Sequence, residues 1–132
     1  PPRRSSDLSI NILKFAHLGT TLVVSRSPLA DGETLQSNFQ AQLKALEQQE
    51  KYLRYSPVQA IKVGAALDVD AYEVQNSFNK GSDSFYQYQL ALQLPGTRRL
   101  IALSYVKTQP LGPAEAAHWA TLKRTLNCFA AP

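Results

Sequence analysis

Hydrophobic and polar positions alternate with a period of two through most of the chain, and two stretches switch to the three- and four-residue spacing of a helix. Ser9–Phe15 alternates strictly, with Ile10 and Ile12 on one face and Asn11, Leu13 and Phe15 on the other. This predicts a strand with apolar residues on both sides. His17-Leu18-Gly19 reads as a turn, and residues 20–26 (TTLVVSR) as a second, β-branched strand, so the pair forms a hairpin. Pro28 and Gly32 then break the strand pattern. Over 34–53, Leu35, Phe39, Leu43, Leu46 and Leu53 fall on one helical stripe, with Asp31 or Thr34 as the N-cap.

The second half reads as a meander. A short strand over 58–63 follows Pro57 and ends at Gly64. A long one over 67–79 places Tyr72, Val74, Asn76 and Phe78 on one side. Asn79-Lys80-Gly81-Ser82 supplies a hairpin turn, and residues 84–94 put Tyr86, Tyr88, Leu90, Leu92 and Leu94 on one face. Gln87, Gln89 and Gln93 occupy the alternate, wetter face. Pro95-Gly96 turns the chain into a strand over 98–108. Pro113 opens a last helix carrying Ala116, Trp119, Leu122, Leu126 and Phe129 at helical spacing.

The predicted order is ββαββββα: an α+β fold in which a mostly antiparallel sheet is flanked by two helices. The hairpin poses a question of layers. With both helices on one side of the sheet, an apolar face of the first two strands stays exposed and marks an interface. With the second helix on the other side, a three-layer sandwich covers it. The pattern leaves both arrangements open.

Composition sets the class. At 132 residues, 44% hydrophobic and 18% charged, the chain fits one domain spanning 1–132 with a substantial core. No stretch approaches the roughly 20 apolar residues that span a bilayer, so direct membrane insertion is not expected. Residues 1–7 (PPRRSSD) are polar and carry no signal-peptide pattern, although the sequence does not open on Met and residues are expected to precede Pro1. The single Cys128 rules out an internal disulfide framework and reads as a small packing residue or exposed thiol. Both points favour the cytoplasm. The net charge of +4 is spread over Arg3-Arg4, Lys51/Arg54, Arg98-Arg99 and Lys123-Arg124 with acidic residues between, not the concentrated basic face of a nucleic-acid binder.

Candidate chemistry is sparse. His17 and His118 have no Cys, Asp or Glu at metal-ligand spacing, so no metal is expected. Asp68 and Asp70 share a strand face but lack a ligand loop around them, and read as solvent-facing. The six glycines are too dispersed for a phosphate-cradling loop, and no nucleophile motif occurs. The expectation is a binding protein, not an enzyme, with no cofactor and no catalytic residue.

Two segments carry a resemblance. Asp7-Leu8-Ser9-Ile10-Asn11-Ile12-Leu13 resembles the D-x-S-[IV]-N-[IL]-[LF] signature of the Eag chaperones of type VI secretion effectors, and Val23-Val24-Ser25-Arg26 resembles the V-[IV]-S-R that follows it. The order of helix, meander and Trp-bearing helix also matches. The resemblance implies a fold of the Mog1 and PsbP kind, related to DcrB, with a further strand before the first motif. In that group the further strand ends in a Pro and a Trp; here Pro2 corresponds to the Pro but Ser5 stands where the Trp would be, so that strand is expected to be missing or replaced. The resemblance also implies a cytoplasmic homodimer that binds the N-terminal transmembrane segments of PAAR-containing effectors and keeps them soluble. It assigns Ile10, Ile12 and Val23 to the cargo groove and gives Asn11 a structural role on the other side, with Asn76, Gln87 and Gln89 as further polar candidates. The other reading of the same group is a protein-interaction domain for an unrelated partner, in the periplasm.

Overall fold

The computed structural model describes residues 8–50 and 52–126. The segment before the first motif, where relatives carry a further strand, and Asp7, Cys128 and Phe129 lie outside them. The elements are β1 (Ser9–Phe15), β2 (Thr20–Pro28), α1 (Leu35–Gln49), β3 (Arg54–Tyr55), β4 (Gln59–Val63), β5 (Val69–Lys80), β6 (Asp83–Gln93), β7 (Arg99–Lys107) and α2 (Pro113–Thr125). The strands make one seven-stranded antiparallel sheet, ordered β1-β2-β7-β6-β5-β3, with β4 also paired to β5. The α+β class and the order of the main elements are as the pattern predicts. Gly81 adopts φ 65° in the β5–β6 turn, the left-handed conformation for which a glycine is suited there.

One end of α1 is as expected and the other differs. Thr34 is the N-cap of α1: Ser37 N–H donates to Thr34 Oγ1 at 3.0 Å and Thr34 N–H donates to Ser37 Oγ at 2.9 Å. The helix stops at Gln49 instead of continuing to Leu53, with Glu50 already extended at φ −109°. The reason is tertiary. Arg54 and Tyr55 pair as β3 with Ser77 and Asn76, and the Tyr55 hydroxyl donates to Glu47 Oε2 at 2.6 Å, so the chain must reverse there. β3 and β4 share one edge of β5. Between them Ser56 N–H donates to Gln75 O at 2.8 Å and Ser56 Oγ accepts from Gln75 N–H at 3.0 Å, and Pro57 has no N–H with which to extend the ladder.

Because strand side chains alternate between faces, the sheet carries two cores. On one face Leu35 and Phe39 of α1 pack with Val74, Ala91 and Leu100. On the other, Trp119 of α2 packs with Ala71, Leu90, Leu92, Leu103 and Tyr105. The helices therefore lie on opposite faces, which settles the question of layers in favour of three. Trp119 stacks 5.6 Å from both Tyr88 and Tyr105, and its indole N–H donates to Glu73, which also binds Lys123 Nζ at 2.8 Å. Asp70, one of the paired aspartates, holds Lys62 in a surface ion pair.

At the start of α2 the Glu115 carboxylate accepts from Gly112 N–H at 2.6 Å and from Lys107 Nζ at 2.9 Å. Lys107, with the Gly112 N–H next, holds this carboxyl below its ordinary value. The folded form thus has the lower pKa, so the contribution is present above the unfolded value and disappears as pH falls through the folded one. Glu115→Gln is expected to lower the urea midpoint at pH 7, and the gap between variant and wild type should narrow as the pH falls through the lowered pKa of the folded form.

Candidate binding groove

The register of the sheet lines up residues from distant parts of the chain. Ile12 pairs with Val23, Val23 with Ser104, Ser104 with Gln89, and Gln89 with Val74. The neighbouring row on the same face runs Ile10, Ser25, Ala102, Ala91, Tyr72. Both rows begin at β1, the outermost strand among the described residues, and end beneath α1. The middle strands β2 and β7 present small side chains, Ser25, Ser27, Ala102 and Ser104, to a cleft of about 370 Å³ against α1. Asn38, Gln42, Ala45 and Gln49 of α1 form its wall, at the i, i+4, i+7 and i+11 positions of one helical stripe.

The three groove candidates thus share the α1 face, on rows continuous with the cleft. Ile10 and Ile12 are 57% and 62% exposed, while Val23 is half-buried. None of the three lies within the enclosed cleft; they form its open rim. Asn11 points to the other face, where its Oδ1 accepts from Arg26 Nη1 at 2.6 Å. The three-layer arrangement therefore does not cover the hairpin: α1 sits over β5 and β6, and its side of β1 and β2 stays bare.

The polar candidates behave differently from a wet strand face. Asn76 is 3% exposed and Gln87 7%. Gln87 Nε2 donates to Asn76 Oδ1 at 3.1 Å, and Asn76 Nδ2 donates to Gln89 Oε1 at 2.6 Å. The amides form a short cross-strand ladder whose last member, Gln89, lines the cleft. Because Gln89 Oε1 is taken by Asn76, its amide N–H groups are what it offers to an occupant. The pattern of glutamines located this ladder but not its burial. Ser25, Ala102, Ser104 and Gln42 were missed. Their signal is the run of small residues alternating with Ile101, Leu103 and Tyr105, and it becomes informative only once β7 is known to lie beside β2.

The spacing of the sheet gives the groove its scale. From β1 to β6 there are three strand spacings, about 14 Å, and a helix with its side chains is roughly 10–12 Å across. The space beside α1 therefore accommodates one further helix. Among the described residues no group of three His, Cys, Asp or Glu could hold a metal ion, and no helix is long and apolar enough to cross a membrane.

The family model of DcrB matches residues 2–125. The chain belongs to the DcrB family. Among solved structures it is similar to the Pseudomonas aeruginosa protein of unknown function PA94, with a TM-score of 0.72 at 19% identity over 96% of this chain and 85% of that one. That likeness shows the shared fold. No curated protein matches the sequence.

Two stability outcomes follow from these exposures. Ile10→Ser with Ile12→Ser is expected to leave the urea midpoint nearly unchanged, each change lying within about 0.5 kcal/mol as exposed substitutions do. Asn76→Leu, which strands the amides of Gln87 and Gln89, is expected to cost about 1–3 kcal/mol in the same experiment.

Proposed function

We propose that this DcrB-family protein is a chaperone of the Eag kind, which binds the hydrophobic N-terminal transmembrane segments of a PAAR-containing type VI secretion effector and keeps them soluble before export. The observation that carries the reading is the bare apolar rim formed by Ile10 and Ile12, in register with the cleft beside α1. An apolar helix in water aggregates because burying its surface is favourable by roughly 25 cal/mol per Å². A groove one helix wide, apolar at the rim and backed by α1, supplies that burial without self-association of the cargo.

The floor fits the same occupant. Helices that pack within membranes approach closely over small residues and use side-chain amides and hydroxyls as polar contacts. Ser25, Ala102 and Ser104 give the close approach, and Gln89 and Gln42 give the amides. On this reading Ile10, Ile12 and Val23 contact cargo, the protein works in the cytoplasm, and it acts as a homodimer offering two grooves. A second reading, an interaction domain for an unrelated partner in the periplasm, draws on the breadth of the DcrB family to which the chain belongs.

Co-expression with the N-terminal segment of an effector encoded beside this gene is expected to yield a soluble co-purifying complex. Ile10→Ser with Ile12→Ser should abolish it while leaving circular dichroism unchanged. Retention of cargo by this well-folded double variant would overturn the groove assignment. Gln89→Glu keeps an acceptor for Asn76 but replaces the donor facing the cleft, and should weaken the complex without unfolding the protein.

A further inference from the structure

Thr20, at the start of β2, is 2% exposed, and its Oγ1 is buried with no hydrogen-bond partner. Buried hydroxyls are nearly always paired, so an orphan calls for an explanation. Its neighbour Tyr105 is wholly buried, and Tyr105 Oη lies 2.7 Å from His118 Nδ1 on α2. Burial pushes the Tyr105 phenol up from its ordinary value, against a smaller lowering influence of the adjacent Thr20 hydroxyl. Tyr105 therefore keeps its single proton across the range in which imidazoles titrate. That proton has two oxygen or nitrogen acceptors beside it, His118 Nδ1 and Thr20 Oγ1.

We propose that Thr20, Tyr105 and His118 form a hydrogen-bond relay with two directions, in which Thr20 is the acceptor held in reserve for protonated His118. With a neutral imidazole, Tyr105 donates to Nδ1 and the ring carries its proton on Nε2. When a proton is taken up from solvent it resides on Nδ1, which then donates to Tyr105 Oη. The phenol O–H turns to Thr20 Oγ1. One N–H bond forms, the imidazolium is the new charge, and the Tyr105 O–H keeps an acceptor; the proton of the Thr20 hydroxyl has no protein acceptor in either direction, so it does not distinguish the two.

The ring of His118 is framed by groups from three elements. Phe15 of β1 meets it edge-on at 4.5 Å between ring centres. The His17 ring in the β1–β2 turn lies 6.1 Å away. On its own helix Glu115 precedes it by one turn, already paired with Lys107 of β7 at 2.9 Å. The Phe15 contact places the relay beside the turn end of β1. The relay does not depend on what the groove binds.

Thr20→Val preserves shape and deletes the reserve acceptor. Urea unfolding of both proteins at pH 8 and pH 5 is expected to find the variant at least as stable as wild type at pH 8. At pH 5 it should show an extra loss of about tenfold or more in the folding equilibrium constant, the cost of one orphaned buried hydroxyl. Thr20→Ser should not show this loss, and Thr20→Val combined with His118→Gln should abolish it. Equal pH dependence of wild type and Thr20→Val would overturn the relay. Long-range proton–nitrogen NMR correlations of His118 in the wild-type protein, assigned with His17→Asn, provide a test free of folding effects. A proton on Nε2 at pH 8 is expected; an Nδ1–H tautomer there sinks the proposal, since the chain would already point to Thr20.

Discussion

A sheet six strands wide along its main path spans about 24 Å across the strands, whereas one helix covers roughly 10–12 Å. With a single helix on each face, part of each face must remain bare. Everything that distinguishes this molecule follows from where the two helices are placed against that width. α1 is held over β5 and β6 by Leu35, Phe39 and Leu43 against Val74, Ala91 and Tyr72. α2 is held on the opposite face by Trp119, clamped through Glu73 to β5. Neither covers the α1 side of β1 and β2.

The bare region is built differently from a failed core. A core strand face is lined by large residues that interdigitate. Here the strands nearest the cleft carry Ser25, Ala102 and Ser104, and the large apolar residues stand at the rim on β1. Small side chains let another backbone approach, and amides secured by a cross-strand ladder present donors at fixed positions. The outcome is a surface shaped for a rod of helical diameter. The two sheet edges also differ: the β3/β4 edge is interrupted by Pro57 and carries the Lys62–Asp70 ion pair, whereas β1 is seven residues long and exposed along nearly all its length. Edge strands are usually blunted by charge or proline, and here that protection is on the side away from the groove.

The far face has its own polar logic. Glu73, Glu115 and His118 lie around the α2 core and Tyr105 within it, and all four are tied across elements: Glu73 to Trp119 and Lys123, Glu115 to Lys107, and Tyr105 to His118. These contacts fix the lateral position of α2, which the alternation of apolar residues alone leaves free to slide. Placement of α2 in turn sets Phe15 and the turn end of the hairpin against His118.

Local patterning determined six of the seven strands, both helices, the α+β class and the division of β1 into an isoleucine face and an asparagine face, because side-chain period is a property of the nearest few residues. It also placed Asn76, Gln87 and Gln89 on one side of their strands, while Ile10, Ile12 and Val23 came forward only through the resemblance of two short motifs to the Eag chaperones. It could not locate β3, whose two residues become a strand only because the Ser77 and Asn76 edge is available to them. Nor could it tell which face each helix takes, that the glutamines bury each other, or that Ser104 and Gln89 share a row with Ile12. Those features depend on β7 inserting between β2 and β6, a long-range pairing that no local period encodes, and that insertion turns scattered serines and amides into the floor of one groove.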